Sequence, residues 1–110
     1  MVSNFIIPME MQSLDTSTIG AAAYYPFNTA GIEGALSFIR ITNDSDTDVI
    51  ISYDGVNPHE YLESGKSLVN YFQANNRPTN YVSKLKKNTI VYAQGIAGTG
   101  YLFVSGYYSE

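Results

Sequence analysis

Residues 38–55 read Phe-Ile-Arg-Ile-Thr-Asn-Asp-Ser-Asp-Thr-Asp-Val-Ile-Ile-Ser-Tyr-Asp-Gly, and this stretch is the most informative about the fold. Two short runs rich in β-branched and aromatic residues flank a polar segment, and Asp-Gly closes the second run. Such residues favour strands, whereas Asn, Asp, Ser and Gly favour turns. The pattern therefore predicts a β-hairpin.

The same pattern of strand-favouring runs separated by turn residues extends from Leu36 to the end of the chain. Breaks of Gly, Pro, Asn, Asp and Ser separate predicted strands at 36–42, 48–53, 59–63, 67–73, 80–85, 88–94 and 100–108. No segment has the pattern of an amphipathic helix of ten residues. About seven short strands at this spacing predict an all-β protein, a single antiparallel β-sandwich of jelly-roll-like or immunoglobulin-like type over residues 36–110.

Residues 1–35 differ from the rest of the chain. They are rich in Ser, Thr, Ala and Gly, and neither a period of 2 nor one of 3.6 persists through them. Their apolar residues come in clumps instead, at Phe5, Ile6, Ile7, Met9, Met11, Tyr24 and Tyr25. We interpret the segment as an extended N-terminal arm with one short strand near Tyr24. Because the clumps are too apolar for a free linker, the arm should pack on its own subunit or on a neighbour.

Length, charge and composition narrow the function classes. A chain of 110 residues predicts one domain with a modest core. The net charge of −4 argues against a general nucleic-acid-binding surface. No run approaches the roughly 20 apolar residues of a membrane span, so we expect no membrane partner. The N-terminus lacks the pattern of a signal peptide, and the absence of cysteine excludes disulfides.

The predicted last strand is apolar or aromatic on both faces. One face carries Tyr101, Phe103 and Tyr107, and the other carries Leu102, Val104 and Tyr108. A half-exposed antiparallel strand normally alternates between apolar and polar residues. Either the domain itself covers both faces of this strand, or one face meets another subunit. For a domain of this small size we favour the second alternative. The chain also contains 10 tyrosines, which fit either the strand propensity of tyrosine or surfaces buried on association.

The acidic stretch 44–48 alternates carboxylates, as the start of a calcium loop does. An EF-hand loop needs Gly at its sixth position and Glu at its twelfth. Those positions hold Val49 and Gly55. We therefore expect no metal site and interpret the stretch as a solvated hairpin turn, with weak, opportunistic cation binding as the alternative.

No motif for catalysis or cofactor binding is present. His59 is the only histidine, so an enzyme hypothesis rests on Asp54, His59 and Glu63 alone. The glycine-rich segment 95–100 matches neither a P-loop nor a dinucleotide fingerprint, and it is predicted to connect a hairpin. We expect no catalytic residue and no cofactor. The alternative from another class is a carbohydrate or host-surface binding module, with Tyr24, Tyr25, Tyr53 and Tyr61 as a stacking face.

Three segments resemble small structural proteins of tailed-bacteriophage virions. They are Ile39 to Ser45 continuing through Val49 to Gly55, then Tyr81 to Tyr92, then Gly98 to Tyr108. The resemblance covers roughly residues 36–108 as a whole, whereas each segment alone is compatible with many β-proteins.

The resemblance implies a non-enzymatic part of the particle, assembled in the host cytoplasm. It implies a homo-oligomer whose partners are other virion proteins of the capsid decoration, portal or head-tail connector, or tail. The residues expected to form the assembly interface lie at the two ends of the chain: Phe5, Ile6, Ile7, Met9, Met11, Tyr24, Tyr25, Tyr101, Phe103, Tyr107 and Tyr108.

Overall fold

The computed structural model of the protein describes residues 6–71 and 85–109. Over these ranges the chain forms the strands β1 (Ile6–Pro8), β2 (Gln12–Asp15), β3 (Tyr25–Pro26), β4 (Leu36–Ser45), β5 (Val49–Ser52), β6 (Glu60–Leu62), β7 (Ser67–Tyr71), β8 (Tyr92–Gln94) and β9 (Gly100–Ser109). A 3-10 turn occupies Thr16–Thr18. The strand predicted at 80–85 lies outside the described residues except for Leu85, which forms an isolated bridge with Leu36.

The strands form two antiparallel sheets that pack on each other. The five-stranded sheet has the order β1-β9-β4-β7, with β2 also paired to β9, and the four-stranded sheet has the order β3-β8-β5-β6. All strand pairs between described residues are antiparallel. The predicted all-β antiparallel sandwich is confirmed: six of the strands lie in the described part of residues 36–110, where about seven were predicted, and three more come from residues 6–35.

The core lies between the sheets and follows the period of two along each strand. In β4, Ile39 and Ile41 point inward and are fully buried, whereas Arg40 is exposed. Val104 of β9 and Ile51 of β5 approach from the two sheets. Burial of each such side chain stabilises the fold by about 1.5–3 kcal/mol.

The prediction of a hairpin over residues 38–55 is wrong. Strand β4 belongs to the five-stranded sheet and β5 to the four-stranded sheet, so the polar turn carries the chain from one sheet to the other. The edges of β4 are occupied by β9 and β7. The apolar sides of β4 and β5 therefore face each other across the core. A true hairpin follows, in which β5 pairs with β6.

The glycine-rich segment 95–100 does not connect a hairpin either. Strands β8 and β9 lie in different sheets, so this segment is a second crossover. Gly100 has φ +127, and a Cβ there would lie 2.3 Å from the carbonyl oxygen of Asp44. Only glycine allows β9 to begin so close to the end of β4.

Residues 6–35 contribute to both sheets. Strands β1 and β2 pair with β9, and β3 pairs with β8, which confirms the short strand predicted near Tyr24. Four residues of this segment are buried in the core: Met9, Ile19, Phe27 and Ile32. Of the apolar clumps, Met9 and Tyr25 thus pack on the same chain, one of the two alternatives that the sequence left open, whereas Met11 is exposed.

Candidate assembly surface

The outer side of the five-stranded sheet carries a band of aromatic side chains. Along β9, buried Leu102 and Val104 alternate with residues that point away from the core. The register pairs these outward residues with outward residues of β4: Tyr101 with Asp44, Phe103 with Thr42, Ser105 with Arg40, and Tyr107 with Phe38. On the other edge of β4, Val69 of β7 lies opposite Arg40. We call this set of residues, together with Met11, the aromatic face.

The rings of the aromatic face contact one another and remain accessible to solvent. Phe38 and Tyr107 have ring centroids 5.5 Å apart, and Tyr101 and Phe103 have centroids 6.1 Å apart. Tyr101 nevertheless retains 48% of its surface in solvent, Tyr107 44% and Met11 59%. Contiguous exposed apolar surface on a small protein marks an interaction site, and Tyr, Met and Arg are enriched at such sites.

A shallow hollow interrupts the aromatic face near its middle. Its volume is about 240 Å³. The hollow exists because the small Ser105 lies between larger neighbours. The residues around it are Met11, Arg40, Thr42, Phe103 and Ser105. The aromatic face is therefore uneven in shape as well as apolar, and a partner with a complementary protrusion can pack into the hollow.

Two charged residues, Arg40 and Asp44, lie on the aromatic face, both on β4. They are four residues apart along the strand, or about 13 Å, too far to pair with each other. Among residues 6–71 and 85–109, the one contact between a basic and an acidic side chain joins His59 and Asp54, so neither charge on the aromatic face has a charged partner there.

The structure brings only some of the predicted interface residues together. Those on the aromatic face are Met11, Tyr101, Phe103 and Tyr107. Met9 is buried, and Tyr25 and Tyr108 pack against the core. Ile7 and Tyr24 are half-buried elsewhere, the Ile6 backbone pairs with Ser109, and Phe5 together with the Ile6 side chain lies outside the described residues.

Sequence reasoning missed Phe38, Arg40 and Val69 on the same face. The alternation of Phe38-Ile39-Arg40-Ile41 contains the signal, because Ile39 and Ile41 are the obvious core residues and their neighbours must point outward. What the alternation does not give is the strand that lies alongside, which requires the register between β4 and β9.

The loop of the enzyme hypothesis, residues 52–59, is organised around Asp54. Its Oδ1 accepts hydrogen bonds from the backbone N–H groups of Asn57 (2.9 Å) and Val56 (2.8 Å), which hold the pKa of Asp54 well below its usual value. The buried Ser52 hydroxyl also donates to this carboxylate, at 3.0 Å. Glu63 follows β6 at its far end and is not brought to this group.

His59 is held by the same loop. Its Nδ1 accepts a hydrogen bond from the backbone N–H of Tyr53 at 2.9 Å, and its ring stacks on the Tyr53 ring. Its Nε2 lies 3.8 Å from Asp54 Oδ2. Burial raises the pKa of Tyr53 to about 12, with the negative charge of Glu60 adding to the effect. These contacts stabilise the loop between β5 and β6.

The acidic turn uses its carboxylates to fasten the crossover. Asp46 accepts from the N–H of Thr99 at 2.8 Å, and Asp48 accepts from the N–H of Ser64 at 2.8 Å and from the Tyr61 hydroxyl at 3.0 Å. The Ser64 and Tyr61 bonds lower the pKa of Asp48. In the described ranges, no three acidic or histidine side chains are grouped as metal ligands.

The four tyrosines of the carbohydrate hypothesis do not form one face. Tyr25 lies on β3 and Tyr61 on β6, at opposite edges of the four-stranded sheet. Tyr53 is largely buried beside His59, and Tyr24 is half-buried beside Tyr25.

A separate cleft of about 490 Å³ lies where the edge strand β2 meets the loop before β4. Its lining includes Gln12, Asn28, Glu33 and Lys87. Gln12 donates its amide to the carbonyl of Gly31 at 3.0 Å, while its buried Oε1 makes no hydrogen bond to any described residue.

Comparison of this chain with protein-family models, curated proteins and solved structures finds no match. Within residues 6–71 and 85–109, no helix has the length and apolar character needed to span a membrane.

Proposed function

We propose that the protein is a non-enzymatic structural component of a bacteriophage virion and self-associates through its aromatic face. The observation that supports this proposal best is the exposure of Tyr101 and Tyr107 on β9. An exposed aromatic ring on a small protein gains about 1.5–3 kcal/mol when it becomes fully buried, so a few such rings suffice for association.

The position of β9 in the sheet favours this role. Strand β9 is paired on one edge with β4 and on the other with β1 and β2, so the backbone that carries its outward side chains is held in place by hydrogen bonds on both edges. A preorganised surface loses less conformational entropy on binding than a loop does.

The virion is proposed from the resemblance of residues 36–108 to small phage structural proteins. On this proposal the partners are copies of the chain itself and neighbouring proteins of the capsid, connector or tail, and the protein assembles in the host cytoplasm. Tracing this chain in a density map of purified particles tests the proposal. Particles that lack the chain, shown by mass spectrometry of their protein content, would contradict it.

Self-association is testable on the isolated protein. Native mass spectrometry and sedimentation velocity over a wide concentration range should detect oligomers, and Tyr101→Ser combined with Tyr107→Ser should reduce them at least about tenfold in association constant. Tyr61→Ser is the control, because Tyr61 is also an exposed tyrosine but lies on the other sheet. A wild-type protein that stays monomeric at all concentrations would contradict the proposal.

The cleft at β2 favours a second candidate function, the binding of a carbohydrate. Its volume lies in the range of small-molecule sites, and its polar lining offers both donors and acceptors to hydroxyl groups. Gln12 is among the polar residues that line this cleft. A glycan array tests this function, with Gln12→Leu expected to abolish any binding; an array without hits contradicts it.

A further inference from the structure

The two charged residues of the aromatic face lie at equal distances from a single residue between them. On β4, Arg40 and Asp44 lie two residues to either side of Thr42. The register places Phe103 of β9 beside Thr42, which puts these two residues at the centre between the two charges. Opposite charges at equal distances from one point are what a two-fold symmetric contact requires.

Strand β9 adds a matching pattern of size. Tyr101 lies beside Asp44, and Ser105 lies beside Arg40 at the hollow. A large residue therefore stands on one side of the centre and a hollow on the other, again two residues from Phe103.

We infer that the protein forms a two-fold symmetric dimer in which the aromatic faces of two copies pack together about an axis over Thr42 and Phe103. The axis lies between the two sheets and runs perpendicular to the strands. Each strand therefore packs on the same strand of the second copy, β4 on β4 and β9 on β9, with the strand direction reversed. Arg40 then faces the second copy's Asp44, and Tyr101 faces the hollow at the second copy's Ser105. By symmetry each contact forms twice.

The sizes involved fit this arrangement. Two sheets that pack face to face lie about 10 Å apart and are rotated by roughly 30°. At about 6.6 Å from the axis, that rotation displaces facing residues sideways by only about 3 Å, which an arginine side chain spans. About an axis over Thr42, the two β4 strands face each other over residues 39–45, roughly 20 Å, so the contact is at the small end of stable interfaces and we expect micromolar affinity.

Exchanging charges tests this geometry, which rests on the proposed function. Arg40→Asp places like charges opposite each other twice and should weaken the dimer at least about tenfold, and Asp44→Arg should do the same. The double variant R40D/D44R restores the pairing and should recover most of the affinity. Controls with the same charge changes on other surfaces are Lys87→Asp and Glu63→Arg, which should dimerise like the wild type. Sedimentation equilibrium gives each constant.

Cross-linking tests the position of the axis independently. Because the chain has no cysteine, Thr42→Cys introduces a single thiol on the axis, where it meets its own symmetry mate. A short bismaleimide should join such dimers efficiently. Ser105→Cys is the control on the same face, since it lies off the axis and should cross-link poorly.

Three outcomes are distinguishable. A rescued double variant and on-axis cross-linking support the dimer. Association that is lost in Y101S/Y107S but indifferent to the charge changes, with no preference for position 42, overturns this dimer and leaves self-association through the aromatic face intact. A monomeric wild type overturns both, and a different partner on the face then becomes the question for pull-down from particles.

Discussion

The buried amide of Asn43 provides the sharpest test of the crossover between the two sheets. Asn43 lies on the inner side of β4 and is fully buried. Its Nδ2 donates to the carbonyl oxygen of Thr47 in the crossover at 2.8 Å and to that of Leu62, in the opposite sheet, at 3.2 Å. One side chain thus ties the end of β4 to the turn and to β6.

Asn43→Leu keeps the volume and removes both donors. Each buried carbonyl left without a donor costs about 1–3 kcal/mol. The Ser45 hydroxyl lies 3.3 Å from the Thr47 oxygen and partly replaces the lost amide, so we expect a total of about 2–3 kcal/mol. That is a large fraction of the roughly 5–15 kcal/mol that stabilises a domain.

Urea unfolding followed by circular dichroism measures this loss. With a slope of about 1–3 kcal/mol per molar urea, the midpoint should fall by about 1–3 M without a change in slope. Ser45→Ala is the graded control: it removes the donor to Asn43 Oδ1 together with the longer hydroxyl contacts to the Thr47 backbone, keeps the Asn43 amide, and should cost about 1 kcal/mol. If the free energy of unfolding of Asn43→Leu lay within about 0.5 kcal/mol of the wild-type value, the Asn43 amide would not stabilise the crossover.

Three further predictions concern backbone, charge and the N-terminal segment. Gly100→Ala should destabilise the protein by more than about 2 kcal/mol, whereas Gly65→Ala, with φ +75 but open space, should cost about 1 kcal/mol; urea unfolding of both variants compares them. Folding lowers the pKa of Asp54, so the ionised carboxylate contributes to the free energy of unfolding above about pH 4, and this contribution is lost as the pH falls below that value. The stability difference between wild type and Asp54→Asn should therefore shrink on acidification. A constant difference from about pH 7 to about pH 2 would contradict this. Deleting residues 1–33 removes four buried core residues, worth about 6–12 kcal/mol together, and should abolish cooperative unfolding in a thermal melt.

The fold class and most of the core can be predicted from the sequence, because the period of two along β4 and β9 is recognisable within each segment alone. Ile39, Ile41, Leu102 and Val104 can be assigned to the core from alternation alone. The crossovers cannot be assigned in this way. A polar turn of Asp, Ser and Thr suits a hairpin and a sheet-to-sheet crossover equally, and the choice depends on whether the edge of β4 is already taken by β9.

Of the N-terminal strands, only β3 was predicted from the sequence, and β1 and β2 were missed for a related reason. Strands β1, β2 and β3 have two to four residues and no periodicity of their own. They are extended because β9 and β8 offer them hydrogen-bonding edges, which is a tertiary effect that overrides local propensity. The candidate surface could be predicted only in part. The outward direction of the β9 rings follows from alternation along the strand, but their position beside Met11 and Arg40 depends on the register between strands.

The pairing of β9 links the fold to assembly. Residues 12–15 pair with 101–104, and β4 pairs with the whole length of β9, so the five-stranded sheet consists mainly of contacts between distant parts of the sequence. Contacts of this kind form late, because the entropy of closing long loops opposes them. Without β9 there is no partner for β1 and β2 and no platform for Tyr101, Phe103 and Tyr107. The surface proposed for association therefore exists only once the sandwich has folded.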